Sequence, residues 1–350
     1  MNGLITINDV ARAANVSPAT VSLALNGNPC VKALTRERIV QLAREMGYTP
    51  NRLAQGLARR RSGLVGLVVP DIESIYYGKV VRYIDEAVSL NGYQLTLAIS
   101  NNCQDTERRI IGKFIEQQVE GVIVAPINRP AGATDYYQDL TRHRIPFLFI
   151  TAYYPGITAP CVMADLNAGT RALAGHLLAR GCRDISFLAG FADVVTTRCR
   201  LEGFRQALPP DAEDSGRFRV IHCPHADYAT GFAQAQAILR NGLPVDAIVA
   251  INDEMALGAL NAAAGLGCKV PEQLAIAGYD NVIFSSAANV PITTVDQNID
   301  LLCRQGADLL RDMIQAANGR GRQAMASQLI ETSLIIRRST EFGSSTLSHQ

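Results

Sequence analysis

Polar side chains repeatedly follow short apolar runs in this chain, which is the pattern of a ligand cleft. The residues that share this position are Asp71, Asn101, Thr151, Asn252 with Asp253, and Asp280 with Asn281. Parallel strands end at one edge of a sheet, and ligands of open parallel sheets bind beyond that edge. Oxygen-rich groups around a cleft suit a polyhydroxylated or heterocyclic ligand. Asp and Asn are also common in turns, so the repetition carries this prediction rather than any single residue.

Signatures of catalysis and of metal binding are weak. The stretch HCPH, His222 to His225, holds one cysteine and two histidines but lacks a second ligand group at a recognisable spacing. The sequence contains no GxGxxG, no GxxxxGK[ST], no HExxH and no obvious nucleophile with its base. We therefore predict a binding protein rather than an enzyme, with no catalytic residue, no metal site and no cofactor.

Alternating apolar runs and helical patterns predict the scaffold of the cleft. The apolar runs are LVGLVVP, YQLTLAIS, GVIVAPI, PFLFIT, ISFLAGF, AIVAIND and LAIAGYDN. Continuous apolar strands separated by helices are typical of parallel sheets covered on both faces. Two roughly equal sets of units predict an α/β fold with two lobes. The first lobe takes about 62–163 and 294–323, and the second about 164–290 and 324–340, with the last crossing near Gln323.

Composition and charge restrict the class of protein. The chain has 350 residues, 48% hydrophobic and 19% charged, which suits two or three globular domains. Residues 1–61 hold nine Lys and Arg against three Asp and Glu, a net charge of +6, although the whole chain carries only +1. This basic head indicates either an anionic partner such as nucleic acid or an ordinary solvated surface.

Export and membrane signals are missing from the sequence. MNGLITINDVARAA lacks the apolar core of a signal peptide, and no apolar run approaches the roughly 20 residues of a membrane span. The eight cysteines are scattered, as is typical of reduced thiols in the cytoplasm. We therefore expect a cytoplasmic protein without a membrane partner.

The basic head has the pattern of three short helices. The first buries residues at helical spacing, namely Ile7, Val10, Ala11 and Ala14. Thr6 is its expected N-cap, Asn15 its left-handed end, and Ser17 the cap of the second helix. The third helix starts after Thr35 and stops at Gly47. Two short helices joined by a tight turn and covered by a third make a helix-turn-helix, which in many small domains binds DNA.

The second helix has an unusual outer face for a surface helix. Its outward residues are Pro18, Ala19, Ser22, Leu23 and Asn26, three of which are apolar. In a DNA-binding helix-turn-helix this helix enters the major groove, where methyl-bearing groups contact the C5-methyl of thymine. We predict thymine opposite this patch. The alternative is that Leu23 packs against another part of the head.

The motifs together resemble the LacI/GalR family of bacterial transcriptional repressors. They are ITINDVARAANVSPATVSLALNG, GYTPNRLAQGLARRRSGLVGLVVPDI, IVAINDEMALGAL and LAIAGYDN, and the resemblance covers about the whole chain. It implies an N-terminal all-α helix-turn-helix headpiece (1–49), a hinge helix (50–61) and a two-lobed core like a type I periplasmic binding protein (62–340). A frayed tail, 341–350, would follow.

The hinge is too short, with Gly56 inside it, to form a stable isolated helix. In the family, two such helices form on operator DNA and wedge leucines into the minor groove, which bends the duplex. Leu57 matches the wedge, and Leu53 matches the residue that faces the partner hinge. The DNA-contacting positions that the resemblance implies are Thr6, Ser17, Pro18, Ala19, Thr20, Ser22, Leu23, Asn26, Asn51, Leu53, Leu57 and Ala58.

The resemblance also implies an effector site between the lobes. The matching positions are Tyr76, Tyr77, Thr151, Thr196, Arg200, Asn252 and Asp280. Thr151 stands where several relatives have an aspartate. Ala226 stands where an aromatic residue usually stacks on the ligand, so His225 or Tyr228 would have to substitute. The expected effector is a sugar or sugar derivative, or else a nucleobase or nucleoside.

The resemblance predicts a homodimeric repressor that binds near-palindromic double-stranded operator DNA under the control of a small-molecule effector. The C-terminal EFGSSTLSHQ contains no leucine heptad for tetramer formation. Two other classes compete with this prediction. A secreted solute-binding protein would share the lobes, and a carbohydrate-acting enzyme would share the α/β organisation, but neither explains the hinge.

Overall fold

The computed structural model of the chain divides into two compact units, 1–62 and 63–350. The residues that it describes are 5–48, 62–127, 132, 134–242, 244–319 and 326–341. The predicted hinge and nearly all of the predicted tail therefore lie outside the described residues. Among the described residues, no helix is both long and apolar enough to cross a membrane.

The first unit contains three helices: α1 (Ile7–Ala14), α2 (Pro18–Leu25) and α3 (Ala33–Glu45). The Asp9 carboxylate accepts hydrogen bonds from the Thr6 backbone N–H (3.0 Å) and the Thr6 hydroxyl (2.7 Å) at the start of α1. Asn15 ends α1 in the left-handed conformation, with φ 54°. The helix α3 begins at Ala33, two residues before Thr35, so its predicted start was late. The buried core of this unit is Val10, Ala11, Ala14, Val21, Ala24, Val31, Ile39 and Ala43.

The second unit alternates strands and helices. Its strands are β1 (Leu64–Val69), β2 (Gln94–Ile99), β3 (Gly121–Val124), β4 (Phe147–Ile150), β5 (Cys161–Ala164), β6 (Ile185–Ala189), β7 (Phe218–His222), β8 (Ala247–Ala250), β9 (Ala275–Ala277), β10 (Thr294–Asp296), β11 (Gln328–Ile330) and β12 (Ser333–Ile335). Its helices are α4 (Ile75–Leu90), α5 (Gln104–Glu116), α6 (Tyr137–Arg142), α7 (Leu166–Ala179), α8 (Val195–Ala207), α9 (Tyr228–Arg240), α10 (Asp253–Gly265), α11 (Ile283–Ala287) and α12 (Ile299–Ala317).

Two parallel sheets form the two lobes. The first sheet has the order β11-β5-β4-β3-β1-β2, and the second has the order β7-β6-β8-β9. Strands β1, β3, β4, β6, β8 and β9 are almost wholly buried because helices cover both faces. In both sheets the carboxyl ends of the strands lie at one edge, which places the loops that follow them together.

The crossings between the lobes differ from the prediction in one respect. The strand β10 pairs antiparallel with β12, and these two strands form a small separate sheet. The strand β11 still pairs with β5 of the first sheet, with Gln328 opposite Val162. The predicted crossing near Gln323 is therefore wrong, because the chain leaves the first lobe only after Ile330. A three-residue strand has no periodicity from which this pairing could be predicted.

Close helix contacts fix the loops of the second lobe. Gly231 on α9 packs against the backbone of Met255 on α10, and Gly258 on α10 packs against the backbone of Tyr228 on α9. A Cβ atom at either glycine would clash with backbone atoms, which cannot move as a side chain can. The two helices therefore start at a fixed separation at the carboxyl edge of the second sheet.

Candidate functional site

The helix α2 carries the predicted DNA-contacting face of the first unit. Val21 and Ala24 are buried inward, whereas Pro18, Ala19 and Leu23 are exposed. The Leu23 side chain is 40% exposed, which contradicts the alternative that it packs inside the head. The predicted outer face is therefore free within the described part of this unit.

Several hydroxyl and amide groups of this face are engaged within the helix. The Ser17 hydroxyl accepts a hydrogen bond from the Thr20 backbone N–H (3.1 Å) and lies 2.9 Å from the Thr20 hydroxyl. The Asn26 amide donates to the Ser22 carbonyl oxygen (2.6 Å). These bonds cap and stiffen α2, as expected for a Ser N-cap. The predicted contacts Asn51, Leu53, Leu57 and Ala58 lie outside the described residues.

A buried ion pair lies at the carboxyl edge of the second sheet. Arg200 on α8 places a guanidinium nitrogen 3.4 Å from Oδ1 of Asp280, which follows β9. The guanidinium carbon lies 4.3 Å from the centroid of the Tyr279 ring, within cation–π distance. Burial raises the pKa of Asp280 to about 6, although the Arg200 charge opposes this. The Nε atom of Arg200 is buried without a hydrogen-bond partner among the described residues, so a donor remains free for a ligand.

The first lobe contributes an aromatic pair to the same place. The rings of Tyr76 and Tyr77 meet edge to face, with their centroids 5.3 Å apart. The Tyr76 hydroxyl donates to Oε1 of Gln297 (3.1 Å), and Nε2 of Gln297 donates to Oδ1 of Asp280 (2.6 Å). Tyr77 hydrogen-bonds the Thr151 side chain, and burial raises the Tyr77 pKa. The structure therefore brings five predicted effector residues together: Tyr76, Tyr77, Thr151, Arg200 and Asp280.

Asn252 has its polar atoms engaged within the second lobe. Its side-chain oxygen accepts from the Met255 backbone N–H (2.9 Å) as the N-cap of α10, and its amide donates to the Ala226 carbonyl (2.7 Å). Among the described residues, no hydrogen bond joins Asn252 to Asp280. The predicted role of Asn252 in effector binding stays a prediction, and its observed role is to hold the start of α10.

Three other predicted residues belong to the second lobe. Thr196 is partly buried in the first turn of α8, four residues before Arg200. Tyr228, a suggested aromatic substitute, is 37% exposed and stacks on Phe232 of its own helix, with ring centroids 6.3 Å apart. His225, the other suggested substitute, is exposed.

Two of the polar residues that follow predicted strands, Asp71 and Asn101, form turns in the first lobe. The Asp71 carboxylate accepts a hydrogen bond from the Glu73 backbone N–H (2.8 Å). Asn101 has a φ of 51°, in the left-handed region that asparagine tolerates better than most residues. Both observations agree with the turn alternative for these two residues.

Asp253 is a core residue rather than the cap of α10. It is fully buried, and its carboxylate accepts from the Thr294 hydroxyl (2.6 Å) and from the Val282 backbone N–H (2.9 Å). Burial, together with the nearby charge of Asp280, raises the pKa of Asp253 to about 8. Asp253 therefore ties α10 to β10 and to the loop after β9, which also carries Asp280 of the candidate effector site.

Two residues of the HCPH stretch, His222 and Cys223, are held in place within the second lobe. Nδ1 of His222 lies 2.7 Å from the Gly190 carbonyl oxygen, and Cys223 is buried. Within the described ranges, no group of three or more His, Cys, Asp and Glu side chains is arranged to hold a metal ion.

Comparisons with known proteins match both units. The pattern of the family described as "Bacterial regulatory proteins, lacI family" matches residues 6–51, and that of the "Periplasmic binding protein-like domain" matches residues 174–340. Catabolite control protein A of Priestia megaterium is 30% identical over 296 residues, which are 84% of this chain and 87% of that protein. The HTH-type transcriptional regulator DegA of Bacillus subtilis (strain 168) is 30% identical over 335 residues, which are 96% of this chain and 98% of that protein.

Solved structures resemble the whole chain as well. The lac repressor dimer bound to operator and the anti-inducer ONPF has a TM-score of 0.84 and 28% identity, over 97% of this chain and 99% of that one. The complex of the transcriptional regulator CelR with cellobiose has a TM-score of 0.68 and 29% identity, over 96% of this chain and 99% of that one. Both likenesses include the three-helix unit and the two-lobed unit.

Proposed function

Because the chain belongs to the lacI family of bacterial regulatory proteins, we propose that it is a homodimeric repressor of transcription in the bacterial cytoplasm. It binds a near-palindromic operator, and a small-molecule effector between its lobes modulates the affinity. The observation that carries this proposal is the exposed outer face of α2, which lies within the part of the chain that matches the family. The operator-bound dimer of the lac repressor supports both the DNA and the dimer.

The proposed domains are a headpiece (1–49), a hinge (50–61) and an effector-binding core (62–340). In the core, the Gly63 backbone N–H donates to the Glu120 carboxylate (2.8 Å), and the Gly63 carbonyl accepts from the Gln94 backbone N–H (2.8 Å). These bonds fix the first residues of the core to the first lobe. A ligand that changes the angle between the lobes would therefore move the attachment points of the two hinges and shift the operator-binding equilibrium.

The proposed effector is a sugar or sugar derivative. A sugar hydroxyl both donates and accepts hydrogen bonds, so one hydroxyl can accept from Nε of Arg200 while it donates to Asp280. Tyr76 and Tyr77 supply the apolar surface on which a sugar ring packs. The cellobiose complex of CelR supports this choice. A nucleobase or nucleoside remains the second candidate, because the same aromatic pair suits a planar ring.

The experiment that tests the proposal is an in vitro selection of bound sites from random duplex DNA at moderate salt. We expect a palindrome with a deformable central pyrimidine–purine step, CpG in the usual family pattern, and thymine in each half-site. The selection is repeated with cell metabolites added, because an effector can be a co-repressor. Failure to enrich any site under both conditions would contradict the proposal.

Leu23→Arg is expected to change the base preferred at one position of each half-site. The leucine offers methyl groups for a thymine C5-methyl, whereas an arginine donates two hydrogen bonds to guanine O6 and N7. A bidentate pair is worth about 1–3 kcal/mol of discrimination, so the preference should shift about 5- to 150-fold. The measurement is a repeat selection with the variant, with Leu34→Arg as a matched control because Leu34 is also exposed. An unchanged preference would exclude a base-reading role for Leu23.

Ile283→Asp is expected to convert the dimer to a monomer. The Ile283 side chain is 59% exposed and Phe284 beside it is 37% exposed, which supports an apolar contact at this end of the second lobe. A buried unpaired carboxylate in the interface would oppose association. Size-exclusion chromatography with light scattering measures the mass of the particle in solution. Leu329→Asp, at another exposed apolar position, is the control. A dimer that persists in Ile283→Asp would place the interface elsewhere.

A further inference from the structure

Two side chains of α4 reach from the first lobe to the loop that follows β9. The Tyr76 hydroxyl reaches Asp280 through Gln297, as described above. The Lys79 ammonium donates directly to the backbone carbonyl of Asn281 (3.0 Å). Tyr76 and Lys79 are three residues apart and therefore share one face of the helix. Because α4 packs on β1, β2 and α12, both bonds join the first lobe to the end of the second sheet.

Gln297 lies at the crossing between the lobes. It directly follows β10, whose Val295 carbonyl accepts from the Asp280 backbone N–H (2.9 Å). Two residues later, α12 begins at Ile299 and packs on β3, β4 and β5 of the first sheet. The Gln297 side chain is only 2% exposed, and both ends of its amide are hydrogen-bonded. It therefore cannot turn without breaking a bond to one of the lobes.

The bond from Gln297 determines how Asp280 is presented. Both Gln297 and Arg200 bind Oδ1 of Asp280, and no hydrogen bond among the described residues uses Oδ2. Gln297 therefore leaves one carboxylate oxygen for a ligand. The backbone of Asp280 is held at φ 102°, a region that L residues avoid. Such strained positions cluster at ligand sites and persist only where surrounding contacts over-determine them.

Those contacts converge on Asn281. Its side-chain amide donates to the Asp296 carboxylate (2.8 Å), and its side-chain oxygen accepts from the Arg337 guanidinium (2.7 Å). Asp296 is the last residue of β10, and Arg337 lies in the segment that follows β12. The Lys79 ammonium also donates to the Asn281 backbone carbonyl. Asn281 therefore connects the first lobe to both of these segments.

We propose that Gln297 and Lys79 are positioning residues of the effector site: Gln297 selects the Asp280 oxygen that faces the ligand, and Lys79 holds the two lobes at their separation. The consequence for operator binding rests on the proposed function. The bonds join the chain's own residues across the lobes, so they contribute to the separation of the lobes. Breaking the Lys79 bond changes that separation without removing a predicted effector contact.

The test of Lys79 uses the full-length chain with three substitutions. Lys79→Met removes the donor, Lys79→Arg restores a cationic donor, and Lys113→Met removes an exposed lysine of α5 as a control. Hydrogen exchange at the backbone amides of residues 278–283 should be at least threefold faster in Lys79→Met, unchanged in Lys113→Met, and close to that of the unsubstituted protein in Lys79→Arg. Unchanged exchange in Lys79→Met would overturn the role of Lys79.

Operator affinity provides the second measurement, with a fluorescent duplex taken from the selection described above. Lys79→Met should change the Kd of the effector-free protein at least threefold, and Lys79→Arg should reverse most of that change. An unchanged Kd in Lys79→Met would overturn the control of lobe separation by Lys79. If the unsubstituted protein selects no duplex, the proposed function fails, whereas hydrogen exchange still decides whether Lys79 holds the lobes.

The test of Gln297 is a pH profile. Asp280 faces the charges of Arg200, Lys79 and Asp253 and the phenols of Tyr76, Tyr77 and Tyr279. The hydrogen bond from Gln297 lowers the pKa of Asp280, so Gln297→Leu should raise that pKa above its value of about 6. The loss of Tm caused by Gln297→Leu should therefore grow between pH 5 and pH 8. A constant loss of Tm over this range would indicate only a packing role, and Gln206→Leu on the surface is the control.

Discussion

Arg200→Met is expected to destabilise the core by about 3–5 kcal/mol at pH 8, because it leaves a buried carboxylate without its cation. The effect should be smaller at pH 5. Burial already raises the pKa of Asp280 to about 6 with Arg200 in place, and removal of the arginine raises it further. At pH 5 the Asp280 carboxyl of the variant is then protonated and needs no cation, whereas at pH 8 folding must either bury the charge or take up a proton.

A second substitution separates this effect from a loss of packing. In Arg200→Met/Asp280→Asn no buried charge is left at this position, so most of the stability at pH 8 should return. Denaturant unfolding at pH 5 and pH 8 measures the differences, and Arg198→Met, an exposed arginine on the same helix, is the control. Equal destabilisation at the two pH values, or no recovery in the double variant, would show that the ion pair is not the cause.

Arg200→Met should also weaken effector binding, by about 10- to 150-fold. A hydrogen bond to a charged group is worth about 1.5–3 kcal/mol, and Arg200→Met removes the free Nε donor and alters Asp280. Calorimetry with the effector found through the selected genes gives the Kd of the single variants Arg200→Met and Asp280→Ala. Normal binding by both variants would mean that the effector contacts other residues.

The fold class and the family were predictable because long apolar runs and short motifs carry them. The seven predicted apolar runs all contain strands of the two parallel sheets, and the family match confirms the predicted resemblance. The caps at Ser17 and Asn15 were predictable because capping depends on residues close in sequence. The relatives are regulators, which agrees with the prediction that the chain is not an enzyme.

The details that the sequence did not predict depend on contacts between distant segments. Gln297 follows the three-residue strand β10, and its partners Tyr76 and Asp280 are 221 and 17 residues away. Lys79 looks like an ordinary polar residue on a surface helix, and only the fold brings it to Asn281. Asp253 stands just before a helical pattern, where capping residues are common, but the neighbouring Asn252 has the capping geometry.

Glu107 is a further residue that the sequence did not distinguish. It lies in the first turn of α5 at helical spacing from the buried Ile110, Ile111 and Phe114, and it is itself fully buried. Its carboxylate accepts hydrogen bonds from the hydroxyls of Tyr136 (2.5 Å), Tyr137 (2.9 Å) and Tyr154 (3.0 Å). The Tyr154 hydroxyl also accepts from the Ile127 backbone N–H (2.9 Å). This cluster joins the loops after β3 and β4, and the second of these loops begins at Thr151 of the candidate effector site.

Glu107→Leu is therefore expected to cost about 3–5 kcal/mol, because several buried hydroxyls lose their acceptor at about 1–3 kcal/mol each. Glu107→Gln keeps an acceptor and should cost less.

Burial raises the pKa of Glu107 above its ordinary value of 4.5, so the folded protein holds this proton more tightly than the unfolded chain. The stabilisation of the acid form is complete below pH 4.5 and is lost as the pH rises through the folded pKa. The glutamine has no such loss, so the deficit of Glu107→Gln should shrink as the pH rises through the same range. Denaturant unfolding across pH 4–8 measures the stability deficit of Glu107→Gln relative to the unsubstituted protein. The exposed Glu116→Gln is the control. A deficit independent of pH would mean that the pKa of Glu107 is not shifted.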